Sequence, residues 1–421
     1  MPPTVLLDEL AWRGLIHHQT PGLAERLARG SITGYVGFDP TAPSLQLGNL
    51  VPLMLLAHLQ RAGGRPIVLL GGGTGLIGDP SGKANERPLL DGVQVDANVA
   101  TQRAQFARFL DFDAGPHAAT MMNNAAWLRA LELVAFLRDY GKHFTIGYML
   151  QKESVKSRLD AGISYTEFSY MLLQAYDFLE LFRRQGCDLQ LGGSDQWGNI
   201  TAGIELIRRA DGQEAHGLVA PLVTTASGTK FGKSEGNAIW LDPSLTSPYQ
   251  FYQYWINADD RDLEGYLATF TFLARPRIME LMAAHAAEPG ARSPHRALAL
   301  DLTARVHGAD AAQRAERASR VVFGDLDPRA ADRAIWQMLA RELPHGAVPQ
   351  AIRDDTPVID LVAGTDLVKS KGEARRQLAQ GGITVNGVRA GETATAGPPL
   401  DGGYYWVQRG KKASFILTPP L

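Results

Sequence analysis

The chain has 421 residues, 45% hydrophobic and 20% charged, with a formal charge of -2. That is ordinary globular material too long for one core, so two or three domains are expected. The near-neutral balance excludes a global pull towards nucleic acid or membrane, so any polyanion must be met by a local patch. The single cysteine, Cys187, excludes an internal disulfide and a cysteine-based metal site; it fits a reducing cytoplasm and reads as a buried structural thiol.

Residues 4–29 carry apolar side chains at helical intervals, predicting two short surface helices broken at Thr20-Pro21-Gly22. Asp8, Glu9, Arg13, Glu25 and Arg26 interrupt the apolar run a signal peptide would need, and no apolar stretch is long enough to span a bilayer. Residues 32–39 then alternate as a strand, and Pro40 and Pro43 end it in a polar loop. Leu50, Leu53, Met54, Ala57 and His58 follow at helical spacing, which puts Gly48 and Asn49 at a helix N-terminus suited to an anion.

Residues 66–71 read as a second, buried strand running into the glycine-dense loop 71–83, which ends in Lys83 with Arg87 close behind. Its spacing is not that of a P-loop, and the glycines alone are equally a structural turn. Residues 98–138 read as largely helical, a block that packs or dimerises. Further on, Tyr170, Gln174 and Asp177 are spaced by four and three on one polar helix face, which by spacing alone is equally an exposed stripe; its apolar neighbours favour semi-buried groups that need partners. Residues 187–199 give a third strand, glycine turn and helix start, where α/β folds bind ligands. Residues 220–225 resemble another strand, followed by Lys230-Phe-Gly-Lys233-Ser234 in a glycine-flanked loop that is either a solvated basic turn or able to close over a polyphosphate.

Segments at 251–255, 263–272, 278–287, 297–306 and 311–321 are helical in pattern, and 324–328 and 344–357 look like connections. From Asp366 a basic amphipathic helix is followed by a short hairpin, residues 381–389, with an Asn-Gly turn. Lys369, Lys371, Arg375, Arg376 and Arg389, with Lys411 and Lys412, form the local basic patch that the net charge conceals.

Assembled in order, Tyr35-Val-Gly-Phe-Asp-Pro-Thr41, Gly78-Asp79-Pro-Ser-Gly-Lys83, the Tyr170/Gln174/Asp177 face, Gly192-Gly-Ser-Asp-Gln196 and Lys230-Phe-Gly-Lys-Ser234 resemble the bacterial tyrosyl-tRNA synthetases, class I aminoacyl-tRNA synthetases, over nearly the full chain. The resemblance implies an α/β fold: a Rossmann-like nucleotide-binding parallel sheet at 1–246 with a helical insertion at about 98–160, an all-helical anticodon-binding domain at 247–345, and a small α+β S4-like RNA-binding domain at 346–421. It also implies a cytoplasmic homodimer acting on L-tyrosine, ATP with Mg2+, and tRNA(Tyr), with no structural metal. The tyrosine carboxylate attacks the ATP α-phosphorus, expelling pyrophosphate, and a terminal adenosine hydroxyl of tRNA then takes the tyrosyl group. Catalysis of this kind is positioning and electrostatics.

By the same resemblance Tyr35 and Asp177 meet the phenol, the arrangement that rejects phenylalanine, for which this family is the standard instance. Tyr170, Gln174 and Asp79 meet the α-amino group. Gln196 and Asp39 lie near the carboxylate and reacting phosphate, and Gly193 and Asp195 near the ribose; Gly37 and Gly48 allow close approach to ATP. Thr41, Lys83, Arg87, Lys230 and Lys233 gather on the pyrophosphate, with Ser234 closing that motif. The family's His-Ile-Gly-His signature is replaced here by Gln46-Leu-Gly-Asn49, and activity is expected to survive because Thr41 and the lysines remain. Three other readings stand beside this one: a tryptophanyl enzyme, which the Tyr35/Asp177 pair disfavours, a degenerate RNA-binding paralogue, and a nucleotidyltransferase.

Overall fold

The computed structural model describes residues 5–79, 91–152, 155–156, 162–228, 231–234, 237–348, 352–410 and 413–419. The chain forms two compact units, one of Met1–Leu245 with Ala258–Leu298, the other of Thr246–Asn257 with Ala299–Leu421.

The first unit is built on a six-stranded sheet: β1 (His18–Gln19), β2 (Thr33–Phe38), β3 (Arg65–Leu70), β4 (Thr120–Asn123), β5 (Leu189–Gly193) and β6 (His216–Ala220), in the order β1-β6-β5-β2-β3-β4. All neighbours are parallel except β1 against β6. The chain leaves β2 towards β3 on one side, while β5 continues to β6 on the other. This reversal opens a crevice at the carboxyl ends of β2 and β5. The helix Leu50–Arg61 is buried from Leu50 to Leu59 except Pro52, as expected of a helix apolar on all sides.

Residues 98–138 are not one helical block: Thr120–Asn123 adds an edge strand to the sheet, in register with Ile67–Leu70. Four residues are too few to show a period, so only pairing with β3 decides their state. The strand expected at 220–225 lies earlier, at His216–Ala220, because Pro221 lacks the N–H that would continue the ladder.

The block expected as one helical domain, 247–345, is divided between the units: the helices Leu263–Phe270 and Arg275–Ala287 belong to the first. Arg13 supplies a reason. Its buried guanidinium donates to the carbonyls of Ala268, Thr271 and Leu273 at 2.7, 2.8 and 2.9 Å, and to Glu9 at 2.8 Å. The end of Leu263–Phe270 would otherwise leave orphaned carbonyls, and a cation there also suits the helix dipole.

In the second unit, a five-stranded sheet runs in the order Val388–Arg389, Ile383–Val385, Tyr405–Arg409, Ala413–Thr418, His345–Ala347. The hairpin turn has Asn386 and Gly387 at φ 51° and 81°, the left-handed pair that an Asn-Gly turn provides. His345–Ala347, within a stretch that reads as a connection, is a strand, and the helix Arg333–Glu342 falls within the 247–345 range expected to be helical. Trp336 on that helix and Trp406 in the sheet share one core cluster with Tyr249 and Ile416. Among the described residues, no helix is long and apolar enough to cross a membrane.

Arg13→Met is expected to lower the unfolding stability of the first unit by about 2–4 kcal/mol, because buried carbonyls and Glu9 lose their donor. The midpoint of its denaturant transition measures this; an unchanged midpoint would show that Arg13 does not hold the helix end.

Candidate active site

A cavity of about 550 Å³ opens where β2 and β5 end. It gathers Tyr35, Gly37, Asp39, Thr41, Gln46, Gly48, Asn49, Asp79, Tyr170, Gln174, Asp177, Gly193, Asp195, Gln196 and Lys233 around one space. Lys83, Arg87 and Lys230 lie outside the described residues, as do Lys411 and Lys412 of the tail; Ser234 is described only as backbone of the strand Lys233–Ser234.

The carboxylate of Asp177, 2% exposed, lies on the helix Tyr165–Gln185. It accepts from Trp127 Nε1 at 2.7 Å and from Asn124 Nδ2 at 2.8 Å. Burial pushes its pKa up to about 7, Asp39 and Glu180 nearby add to this, and the two donors pull it down. Asn124 also donates to Thr74 Oγ1 at 3.0 Å, and Thr74 donates to Asp39 Oδ1 at 2.8 Å. Tyr170 donates to Asp39 Oδ2 at 3.0 Å. A continuous polar network thus runs from Trp127 through Asp177, Asn124, Thr74 and Asp39 to Tyr170.

The glycines of the loop at 71–75 serve this network. Gly73 N donates to Asn124 Oδ1 at 2.7 Å, and a Cβ at Gly73 would stand 2.9 Å from Leu128 Cδ1. A side chain there would push the loop off Asn124. The close approach these glycines permit is therefore to the protein's own side chains.

Tyr35, fully buried, lies beside Asp177, and its hydroxyl has no partner among the described residues. Burial, with Asp177 next, raises its pKa well above the usual value, so the phenol stays a donor. Across the strand pair its register neighbour is Gln190, whose Oε1 is likewise buried and unpartnered. A second cluster lies further along the cavity. Gln196 donates to Asp79 Oδ2 at 2.7 Å and accepts from Gln174 Nε2 at 3.3 Å and Asn199 Nδ2 at 3.2 Å, while Gln174 Oε1 is left without a partner among the described residues.

At the other end, Asn49 Oδ1 accepts from Gln46 N at 2.8 Å, so the altered signature caps its own short helical turn. The segment around Gln46 pairs with that around Trp240: Leu47 N donates to Ile239 O, Leu241 N to Leu45 O, and Ile239 N to Gly232 O. Gly232, at φ 77°, sits 3.2 Å by its hypothetical Cβ from Leu47 Cβ. Phe231 stacks on Phe270 with ring centroids 5.2 Å apart. Exposed Lys233 is thereby brought to the cavity rim beside Gly48 and Asn49.

Sequence reasoning missed Thr74, Asn124, Trp127 and Gln190. Trp127 reads as one of several apolar helix residues, and Asn124 has no periodic signal. Gln190, an amide inside an otherwise apolar strand, was the one legible clue.

The geometry is that of an α/β site for a small polar molecule beside a site suited to an anion. A family model described as tRNA synthetases class I (W and Y) matches residues 27–324, and one described as a tyrosine–tRNA ligase SYY-like C-terminal domain matches 337–417. The chain belongs to this family of class I tRNA synthetases. Within it the similarity is to tyrosine–tRNA ligases. The one from Anaeromyxobacter dehalogenans is 55% identical over 410 residues, 97% of each chain. The one from Roseiflexus castenholzii is 51% identical over 422 residues, 98% of this chain and 99% of its own. A C-terminally truncated mitochondrial tyrosyl-tRNA synthetase of Aspergillus nidulans has a TM-score of 0.70 at 32% identity, covering 76% of this chain and 94% of that one.

Because the folded-state pKa of Asp177 lies above its ordinary 3.8, its ionisation opposes folding. The penalty is absent below about pH 4, grows as pH rises to about 7, and is constant above that. Asp177 is expected to titrate near 7 by carboxyl carbon NMR, and Trp127→Phe to raise that value by removing a donor to the ionised form. A titration below pH 5, or a fall in the variant, would contradict this account.

Proposed function

We propose that this chain carries out the reaction of its family, ATP-dependent ligation of tyrosine to tRNA, in the cavity between β2 and β5. Tyrosine lies with its phenol between Tyr35 and Asp177, and ATP lies over Gly48 and Asn49. The observation that carries the reading is the buried, unpartnered Tyr35 hydroxyl next to a buried carboxylate at the cavity floor. One group donates and the other accepts, which suits a hydroxyl of the ligand. A ligand without that hydroxyl leaves both stranded.

Asp79 and Tyr170 receive the α-amino group, with Gln174 offering its free Oε1. Gln196 orients the carboxylate. It is itself fixed by Asp79, Gln174 and Asn199, so the attacking oxygen is held before ATP arrives. Asp195 and Gly193 receive the ribose. Thr41 and Lys233, with Lys83, Arg87 and Lys230, receive the departing pyrophosphate of magnesium-bound ATP. The two amides of the signature cap their own turn, which keeps Gly48 presented to ATP without either histidine.

Of the domain limits given from the sequence, that of the C-terminal module, 346–421, remains part of this proposal. Lys369, Arg375 and Arg376 are exposed on the C-terminal module, a surface suited to RNA phosphates. Lys371 is also exposed and pairs with Asp360 at 2.6 Å, and Arg389 donates to Gly381 O at 2.8 Å, so these two share a structural role with any RNA contact. A homodimer is proposed through the insertion, where Leu133, Val134 and Ile146 are 70%, 78% and 62% exposed. Residence in the cytoplasm goes with this reading.

Amino-acid-dependent ATP–pyrophosphate exchange tests the reading: tyrosine should support it, tryptophan and phenylalanine should not, and exchange without preference would sink it. Tyr35→Phe should raise the tyrosine KM about 2- to 10-fold, the worth of one buried hydrogen bond between uncharged groups. Removing residues 366–421 should spare exchange and weaken tRNA charging; full charging by the shortened protein would refute the role given to the tail.

A further inference from the structure

The helix Gly92–Phe106 has no charged residue at the cavity and reads from sequence as packing. Yet Asn98, Thr101, Gln102 and Gln105, at intervals of three, one and three, lie on one face and meet successive backbone groups of the loop 40–45. Asn98 Nδ2 donates to Pro40 O at 2.8 Å, Gln102 Nε2 to Ala42 O at 2.8 Å, and Thr101 Oγ1 to Pro43 O at 2.6 Å. Gln105 Oε1 accepts from Leu45 N at 2.8 Å, and its Nε2 donates to Ser44 Oγ at 3.0 Å.

The loop needs such support. Pro40 and Pro43 remove two backbone donors, so the segment cannot order itself by a regular ladder. Its carbonyls face a helix of side-chain donors instead. The support extends past the loop: Ser44 Oγ also accepts from Asp242 N at 3.1 Å, next to the Leu45–Leu241 and Leu47–Ile239 bonds that bring Gly232 and Lys233 to the cavity. Gln102 is 2% exposed, lines the cavity, and keeps an unpartnered Oε1 among the described residues.

We propose that Asn98, Thr101, Gln102 and Gln105 are positioning residues for the ATP half of the reaction: a comb of four side chains that sets where Thr41 and Gln46 stand over the triphosphate. This rests on the reading that Thr41 and Gln46 face ATP. The comb touches neither Tyr35 nor Asp177, so it governs ATP handling and leaves tyrosine binding alone. It also gives the altered signature a rigid backing, because the loop is held from behind.

The test uses the full chain with Thr101→Val, Thr101→Ser and Gln102→Met in tyrosine-dependent exchange, together with equilibrium tyrosine binding. Thr101 is exposed, so Thr101→Val keeps shape and loses only the donor, while Thr101→Ser keeps the donor. Thr101→Val and Gln102→Met are expected to lower kcat/KM for ATP on the order of 10-fold to 100-fold, the scale of a small misplacement of reacting groups. Tyrosine affinity should stay within about twofold, and Thr101→Ser should behave as the unsubstituted enzyme. ATP and tyrosine parameters that shift together, or ATP parameters that do not shift, would overturn the comb. Absence of tyrosine-dependent exchange in the unsubstituted enzyme would instead overturn the functional reading, and the inference with it.

Discussion

A carboxylate as deeply buried as that of Asp177 survives only if both oxygens are met by donors, since an isolated charge in low dielectric costs several kcal/mol. The fold meets that demand from one short segment. Trp127 and Asn124 lie just past the end of β4, and each sends one N–H to Asp177. Asn124 then carries the network to Thr74 and Asp39, so the loop after β3 and the end of β2 are placed by the same carboxylate. Moving any one strand end would break the chain of hydrogen bonds, and so the cavity floor is rigid before a ligand arrives.

The two ends of the cavity are built differently. The floor is buried and networked, and among the described residues it leaves the Tyr35 hydroxyl and the Gln190 oxygen without partners. The rim is made of loops. One is held from behind by the helix Gly92–Phe106, the other is pinned by Phe231 against Phe270 and by the short pairing of 45–47 with 239–241. A rigid floor suits recognition of a small side chain, and an anchored but exposed rim suits a substrate that must leave as pyrophosphate.

Much of this was legible in advance. The strands at 33–38, 65–70 and 189–193 and the helix face bearing Tyr170, Gln174 and Asp177 follow from local periodicity and glycine-proline punctuation. What stayed hidden depends on contacts distant in sequence. Thr120–Asn123 is a strand only because β3 offers it an edge, and Arg13 matters only because a helix some 255 positions away ends against it. Likewise Asn98, Thr101 and Gln102 belong to a stretch that reads only as a packing block until the loop at 40–45 lies against them.

The sequence by itself determined which chemical groups this protein has and their local setting: a phenol on a strand, an amide and a carboxylate on one helix face, lysines in a glycine-flanked loop, and a basic tail. Those properties are local, because period, capping and backbone freedom act over a few residues. Only the tertiary structure decided which of the groups are already satisfied and which are left open. Hydrogen-bond partnership inside a core is a property of pairs far apart in the chain, and among the described residues it leaves the Tyr35 hydroxyl unpartnered while both oxygens of Asp177 are met.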